Sequence, residues 1–199
     1  MIRFFDIFFS VIGLIILSPL FLILAVWIKI DSKGPVFYRQ LRVGKDGKDF
    51  YLYKFRTMLV DADKNGLITV GDRDPRVTRA GYFFRKYKLD ELPQLINVVL
   101  GDMSLVGPRP EVRKYVEMYT PEQRKVLSVK PGLTDYASIH YIDENKVLAK
   151  SDDPERTYID AIIPEKIRYN MKYIEHQSVK EYFKIIFLTI RKMSISLFD

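Results

Sequence analysis

Apolar and polar positions divide the chain into stretches of different texture. Residues 7 to 28 contain no charged side chain. As a helix, this run of about 22 residues would be roughly 33 Å long, close to the hydrocarbon thickness of a bilayer. Pro19, preceded by Ser18, falls near its middle. Proline donates no backbone hydrogen bond and its ring crowds the preceding turn, so the expectation is a helix broken or kinked at Ser18-Pro19. The Ser18 hydroxyl would partner one of the freed carbonyls. Arg3 precedes the run and Lys29 and Lys33 follow it, so cations flank both ends. A cleaved signal peptide fits poorly, because the stretch is too long and no small-residue cleavage site follows. A simple span and a re-entrant helix that enters and leaves by one face both remain open on these residues.

Beyond the turn cluster Asp31-Ser32-Lys33-Gly34-Pro35 the period changes to two. Residues 36 to 41 and 50 to 54 alternate, with the turn signal Lys45-Asp46-Gly47-Lys48 between them, which predicts a β-hairpin. Residues 59 to 78 are polar and carry Gly66, Gly71 and Pro75, as a loop does. Short helices are expected over 79–87, over 91–100 with Asp90 near the N-cap and Gly101 as the stop, and over 121–128 behind Thr120. Pro93 is tolerable only in a first turn. Helix formers dominate residues 164 to 198. There Val179, Phe183, Ile186, Ile190 and Met193 recur every three or four residues, predicting a face that packs on the core or, alternatively, lies in a membrane interface.

The chain has 199 residues, enough for one domain with a core plus an appendage. A net charge of +7 calls for an anionic partner. No zinc-finger spacing or aromatic RNA-binding run is present, and the basic residues are dispersed, so lipid surface and phosphorylated substrate are preferred to nucleic acid. The absence of cysteine excludes disulfides, thiolate catalysis and Cys-ligated zinc. Two histidines, His140 and His176, are too few for a histidine-based metal site.

The candidate chemistry lies between residues 85 and 110. Two adjacent acids, Asp90 and Glu91, would be ordinary at a helix start. Their surroundings change that reading. Arg85 lies five residues earlier, and Arg109 is held between Pro108 and Pro110 with Gly101 and Gly107 nearby. Guanidinium groups match phosphate oxygens bidentately, and Mg²⁺ favours one or two carboxylates plus substrate phosphate. One carboxylate could then attack phosphorus while the other holds metal. Lys54 and Arg56 at the hairpin's end would add positive charge beside a diphosphate, or simply close a solvated strand. Arg76 and Arg79 could pair with Asp72 and Asp74 or face the substrate. Arg113, Lys114, Arg124, Lys125 and Lys130 read as a solvated or lipid-facing surface.

The ordered segments Arg3-Phe4-Phe5-Asp6, the apolar run with Ser18-Pro19, GPVFYRQLRVG, YKFRTM, DPRVTRAG, LDELPQLINV, GDMSLVGPRPE and KPGLT strongly resemble those of the bacterial sugar transferases, the monotopic phosphoglycosyl transferases. The likeness is close over residues 2 to 135 and looser beyond. It implies an α+β fold: a small, mainly helical domain with a β-hairpin, a re-entrant membrane helix over residues 1–30, and interfacial amphipathic helices. Residues 31–199 would form the catalytic domain on the cytoplasmic face of the bacterial inner membrane. The chain would be a minimal member, with no additional N-terminal spans. The implied reaction transfers a phosphosugar from a UDP-sugar to undecaprenyl phosphate, releasing UMP, through a covalent aspartyl phosphosugar. It would begin the assembly of a surface glycan or a glycoprotein glycan. The resemblance makes Asp90 the nucleophile, Glu91 the Mg²⁺ ligand and a helper in activating the second phosphate, and Arg85 and Arg109 the phosphate-binding residues. Two departures stand out. Asp135 follows Thr134 where the family often has glycine, and Asn170-Met171-Lys172-Tyr173 stands for a family Asp-x-x-Tyr. Two other functions stay in contention: a metal-dependent glycosyl transferase releasing UDP, and a non-enzymatic, membrane-anchored lipid- or partner-binding module.

Overall fold

The computed structural model describes residues 1–62, 74–140 and 147–198. Much of the expected 59–78 loop, Asp72 included, lies outside these residues. The fold is α+β, as the sequence predicts. Helix α1 (Ile2–Asp31) leads into a hairpin of β1 (Phe37–Val43) and β2 (Asp49–Phe55). Helices α2 (Arg79–Lys86) and α3 (Gln94–Leu100) follow, separated by a 3-10 turn at Leu89–Glu91. Strand β3 (Ser104–Val106), helix α4 (Arg113–Val116), a 3-10 segment at Gln123–Ser128 and strand β4 (Gly132–Thr134) come next. Helices α5 (Tyr136–His140), α6 (Pro154–Thr157), α7 (Ile163–Glu175) and α8 (Val179–Phe198) complete the described chain, with a π-helical turn at Tyr158–Ile162 joining α6 to α7.

The hairpin forms as expected, pairing Phe37 with Phe55 and Val43 with Asp49. Its turn requires left-handed backbone at Asp46 (φ 56) and Gly47 (φ 75), a conformation that Asp and Gly tolerate well. Helix α3 docks on β2 through one side chain. The fully buried Asn97 accepts from the Tyr53 amide at 2.9 Å and donates to the Tyr51 carbonyl at 2.7 Å, standing in for a neighbouring strand. The parallel pair β3–β4 brings residues 107 to 110 beside residues 131 to 135. The approach is close enough that a Cβ on Gly132 would lie 2.1 Å from the Gly107 nitrogen.

Helix α1 narrows one expectation. Of a break or a kink at Ser18-Pro19, it shows no break: the helix continues through both residues. Pro19 leaves the Ile15 carbonyl without its usual donor, and the Ser18 hydroxyl donates to that carbonyl at 2.8 Å. The vacant position in the ladder is thus filled locally and the helix continues. Along its length α1 rests on the domain. Near its start, Asp6 is buried and accepts from Ser104 Oγ, the Leu105 amide and Tyr182 Oη, each at 2.9 Å. Arg3 donates to the Val98 and Val99 carbonyls, placing a cation at the C-terminus of α3. At mid-length Gly13 faces Leu95. Toward its end Leu24 and Ile28 join Phe55, Ala80 and Phe84 in one core cluster, and Asp31 accepts the Ala80 amide at 3.1 Å. The opposite face, including Phe8, Ile12, Ile15, Ile16, Leu22, Ile23 and Ile30, is exposed.

Helix α8 decides between the two expectations for its stripe. Among its described side chains Tyr182 and Ile185 are the fully buried ones, whereas Phe183 and Ile190 of the stripe are exposed together with Phe187 and Ile195, which fits the interface alternative better than core packing. Phe183 instead packs edge-on against Phe5 and Phe9 of α1. The exposed apolar faces of the two helices therefore meet.

Candidate active site

Five sequence-predicted residues, Lys54, Arg85, Asp90, Glu91 and Arg109, line one cavity of about 620 Å³. Four local devices position them, with Asp90 and Glu91 sharing one. Lys54 follows the Tyr53 position that Asn97 pins. Arg85 ends α2, whose Thr78 N-cap accepts the Gly81 amide at 3.0 Å, and its Nε donates to Thr57 Oγ1 at 3.0 Å. Asp90 and Glu91 occupy the 3-10 turn, entered through a left-handed Lys88 (φ 56). Asp90 is therefore not the N-cap of α3. That helix starts three residues beyond Glu91, with Pro93 as its N-cap, because the prolyl ring cannot sit deeper in the helix. Arg109 is held by the loop after β3.

The two acids have opposite surroundings. Glu91 pairs with Lys54 Nζ at 3.3 Å and receives both terminal nitrogens of Arg109, Nη1 at 3.1 Å from Oε2. Burial pushes its carboxyl up, but Arg109 and then Lys54 outweigh burial and hold it well below the ordinary range. Asp90 is buried, and its Oδ1 has no hydrogen-bond partner among the described residues. Burial, then the neighbouring Glu91 charge, raises its carboxyl, while Lys54, Arg85 and Lys88 act against that rise. Desolvation also lowers the Lys54 ammonium and the Arg85 guanidinium. The arrangement is an unpaired carboxylate oxygen in a cationic surround, beside a second acid already neutralised by two cations.

Arg56 requires a correction. It does not line the cavity. Its guanidinium is buried and donates to the Ser32, Lys33 and Pro35 carbonyls at 2.9, 2.9 and 2.7 Å, fastening the segment after α1. Each of its three nitrogens donates to backbone, away from the cavity, which gives it a structural role in place of the expected phosphate contact. Arg76 pairs with Asp74, Nη2 to Oδ2 at 2.6 Å, in place of facing a substrate. Sequence reasoning missed Arg42 and Glu111, which also line the cavity. Arg42 Nη1 donates to Glu111 Oε1 at 3.2 Å and to the Pro110 carbonyl at 2.9 Å, and Tyr158 donates to Glu111. The only signal for Glu111 is its place directly after Pro110.

Among the described residues no group of three or more His, Asp or Glu is placed to hold a metal. Two adjacent carboxylates, one with an unpartnered buried oxygen, fit a hard cation that brings most of its oxygen ligands with it on substrate phosphates, as Mg²⁺ does.

Comparison with known proteins places the chain in a family. The chain is 40% identical over 191 residues to a UDP-N-acetylgalactosamine-undecaprenyl-phosphate N-acetylgalactosaminephosphotransferase of Aeromonas hydrophila, covering 94% of this chain and 42% of that protein. It is 37% identical over 191 residues to a UDP-glucose:undecaprenyl-phosphate glucose-1-phosphate transferase of Escherichia coli, covering 94% of this chain and 39% of that protein. A third relative, an uncharacterised sugar transferase of Bacillus subtilis, is 39% identical over 177 residues, 89% of this chain and 78% of its own length. The chain thus spans about two fifths of the length of the first two. Residues 1–196 match the bacterial sugar transferase family as a whole, and the chain belongs to that family.

Proposed function

We propose that the protein transfers a sugar 1-phosphate from a UDP-sugar to undecaprenyl phosphate by way of an aspartyl phosphosugar on Asp90. The observation that carries this reading is the Asp90 carboxylate, with Oδ1 unpartnered and Lys54, Arg85, Lys88 and Arg109 lining the same cavity. An acid kept only as a structural group would have its oxygens satisfied. In the first step Asp90 Oδ1 attacks the sugar-bearing phosphorus, the Asp90–phosphorus bond forms, and the bond to the bridging oxygen breaks to release UMP. In the second step a phosphate oxygen of undecaprenyl phosphate attacks the same phosphorus and frees the Asp90 carboxylate, giving undecaprenyl diphosphate sugar. Arg85 and Arg109 hold the diphosphate oxygens in line, and Lys54 offsets the charge that accumulates as the bond breaks. The cations Lys54, Arg85 and Lys88 favour the ionised, nucleophilic form of Asp90 against the upward push of burial and of Glu91. A Mg²⁺ ion held by Glu91 and the substrate phosphates would supply Lewis-acid stabilisation of the leaving phosphate.

The acceptor's long apolar tail suits the rest of the cavity. Leu133, Ile139, Ile186 and Met193 line it, and Ile190 of α8 both lines it and is exposed on the apolar outer face. Mean hydropathy reaches 2.8 over the most apolar window of α1. Because the start and the end of α1 rest on the same domain, the helix would lie in one leaflet with both ends on the cytoplasmic face.

The test is a panel of UDP-sugars, UDP-glucose and UDP-N-acetylgalactosamine first because the relatives' names carry them, assayed with undecaprenyl phosphate. UMP release is expected, with loss in excess EDTA and recovery on adding Mg²⁺. UDP release would replace this reading with glycosyl transfer. No turnover of any donor in the membrane-reconstituted chain would favour a binding module.

A further inference from the structure

Asp135 is among the most deeply buried acids of the protein, 1% exposed, and it lines the same cavity as Arg109 without lying in any of the motifs that suggest chemistry. Its two carboxylate oxygens are divided between two segments. Oδ2 accepts the backbone amide of Arg109 at 3.0 Å, and Oδ1 accepts the backbone amide of Ser138 at 2.6 Å. The second bond caps the first turn of α5. The first reaches across to the loop that carries Arg109. Backbone pairs already bring the segments together, Gly107 N to the Thr134 carbonyl at 3.0 Å and Gly132 N to the Pro108 carbonyl at 2.9 Å. Those pairs stop at residue 108. Asp135 extends the attachment to Arg109 itself, between two prolines whose φ is already fixed.

We infer that Asp135 is a positioning residue that sets Arg109 for phosphate binding, by tying the Arg109 backbone to the first turn of α5. The inference rests on the phosphate-binding role proposed above for Arg109. With its backbone held, the Arg109 guanidinium reaches Glu91 and the diphosphate from a defined origin. Released, the loop keeps its charge and loses its aim, and a displacement of about 1 Å at such a group is enough to cost a large factor in rate. Glycine at this position could cap neither segment, so this chain carries a device that its resemblance to the family would not suggest.

The test separates aim from stability. Asp135→Ser keeps a short oxygen able to cap α5, yet too short to reach the Arg109 amide. Asp135→Ala removes both bonds, and Asp135→Asn keeps one acceptor. Each is made in the parent and in an Arg109→Ala background, in the full-length membrane-reconstituted protein. The readouts are inorganic pyrophosphate affinity, thermal midpoint and, where turnover is present, kcat and KM for the UDP-sugar. Expected in the parent is a tenfold or greater loss of pyrophosphate affinity for Asp135→Ser and Asp135→Ala, a smaller loss for Asp135→Asn, and a thermal midpoint close to parental for Asp135→Ser. In the Arg109→Ala background the same changes should cost less than twofold. Equal losses in both backgrounds, or parental affinity for Asp135→Ser, would overturn the inference. Parental protein that binds pyrophosphate and transfers no phosphosugar would count against the proposed reaction, while the pyrophosphate cycle still decides the role of Asp135.

Discussion

Asp90 and Glu91 are neighbours with opposite thermodynamic signs. The folded state raises the Asp90 carboxyl above its unfolded value, chiefly by burial. As pH climbs past the unfolded value, the unfolded chain ionises first and stability falls, so at neutral pH the ionised Asp90 is a cost to the fold. Asp90→Asn should therefore abolish UMP release and leave the thermal midpoint equal to or above that of the parent. Retained activity in that variant would remove Asp90 from the mechanism, and a large drop in melting temperature would make it a structural acid. The Glu91 carboxyl is depressed, with Arg109 and Lys54 overcoming burial. Its contribution is complete above the unfolded value near 4.5 and is lost as pH falls through the lower folded value. Glu91→Gln should cost about 2 kcal/mol at pH 7. The difference between the two proteins in urea melts should begin to shrink as pH falls below 4.5 and should be gone only below the lower folded value, where the parent too loses its charge. A difference independent of pH would contradict the ion-pair account. These acids were legible because charge clusters near prolines and glycines are visible in the letters. The fate of Arg56 was not, since its partners are carbonyls contributed by residues 32 to 35, and carbonyls leave no mark in a sequence.

Elements were readable where the period alone determines them. The hairpin follows from alternation and an Asp-Gly turn. Where two apolar faces share one helix, period is not enough. Helix α8 has Tyr182 and Ile185 facing inward and Phe183, Phe187 and Ile190 facing outward, and only the tertiary partners decide which side is the core. Proline in α1 was over-read for a similar reason: the break depends on whether a nearby donor replaces the lost one, and Ser18 does. Between β3 and β4 the limiting quantity is space. A methyl group on Gly132 would meet the Gly107 backbone at 2.1 Å, and backbone cannot give way as a side chain can. Gly132→Ala should destabilise by about 3 kcal/mol, at the upper end of overpacking costs, and weaken pyrophosphate binding together with stability. Chemical denaturation of purified protein checks this, and a change within 0.5 kcal/mol, the ordinary range of a surface substitution, would mean the strands can part freely.

At the scale of the whole molecule, the first helix ties the hairpin, α2, α3, β3 and α8 to one another. Contacts from Asp6, Gly13, Leu24, Ile28 and Asp31 rest on one body, so α1 cannot be lifted away without unpacking the two core clusters that it shares. If both ends of α1 stay on the cytoplasmic face, a cysteine replacing Ile2, the sole thiol in a chain without cysteine, should escape membrane-impermeant maleimide in whole cells and react after lysis. Labelling of intact cells would establish a simple span. Asp6 also carries information about time. Two of its donors come from Ser104 and Leu105, and the third, the Tyr182 hydroxyl, from 176 positions further along the chain. Tyr182→Phe should cost about 1–3 kcal/mol, because it removes one donor from a buried acid while keeping the ring, and a melt unchanged from the parent would show the hydroxyl to be idle. Tyr182 is translated 176 residues after Asp6, so the third donor is made long after the other two. Helix α1 can meet β3 before α8 exists, and its seating on the domain is completed only when α8 closes over the Asp6 carboxylate.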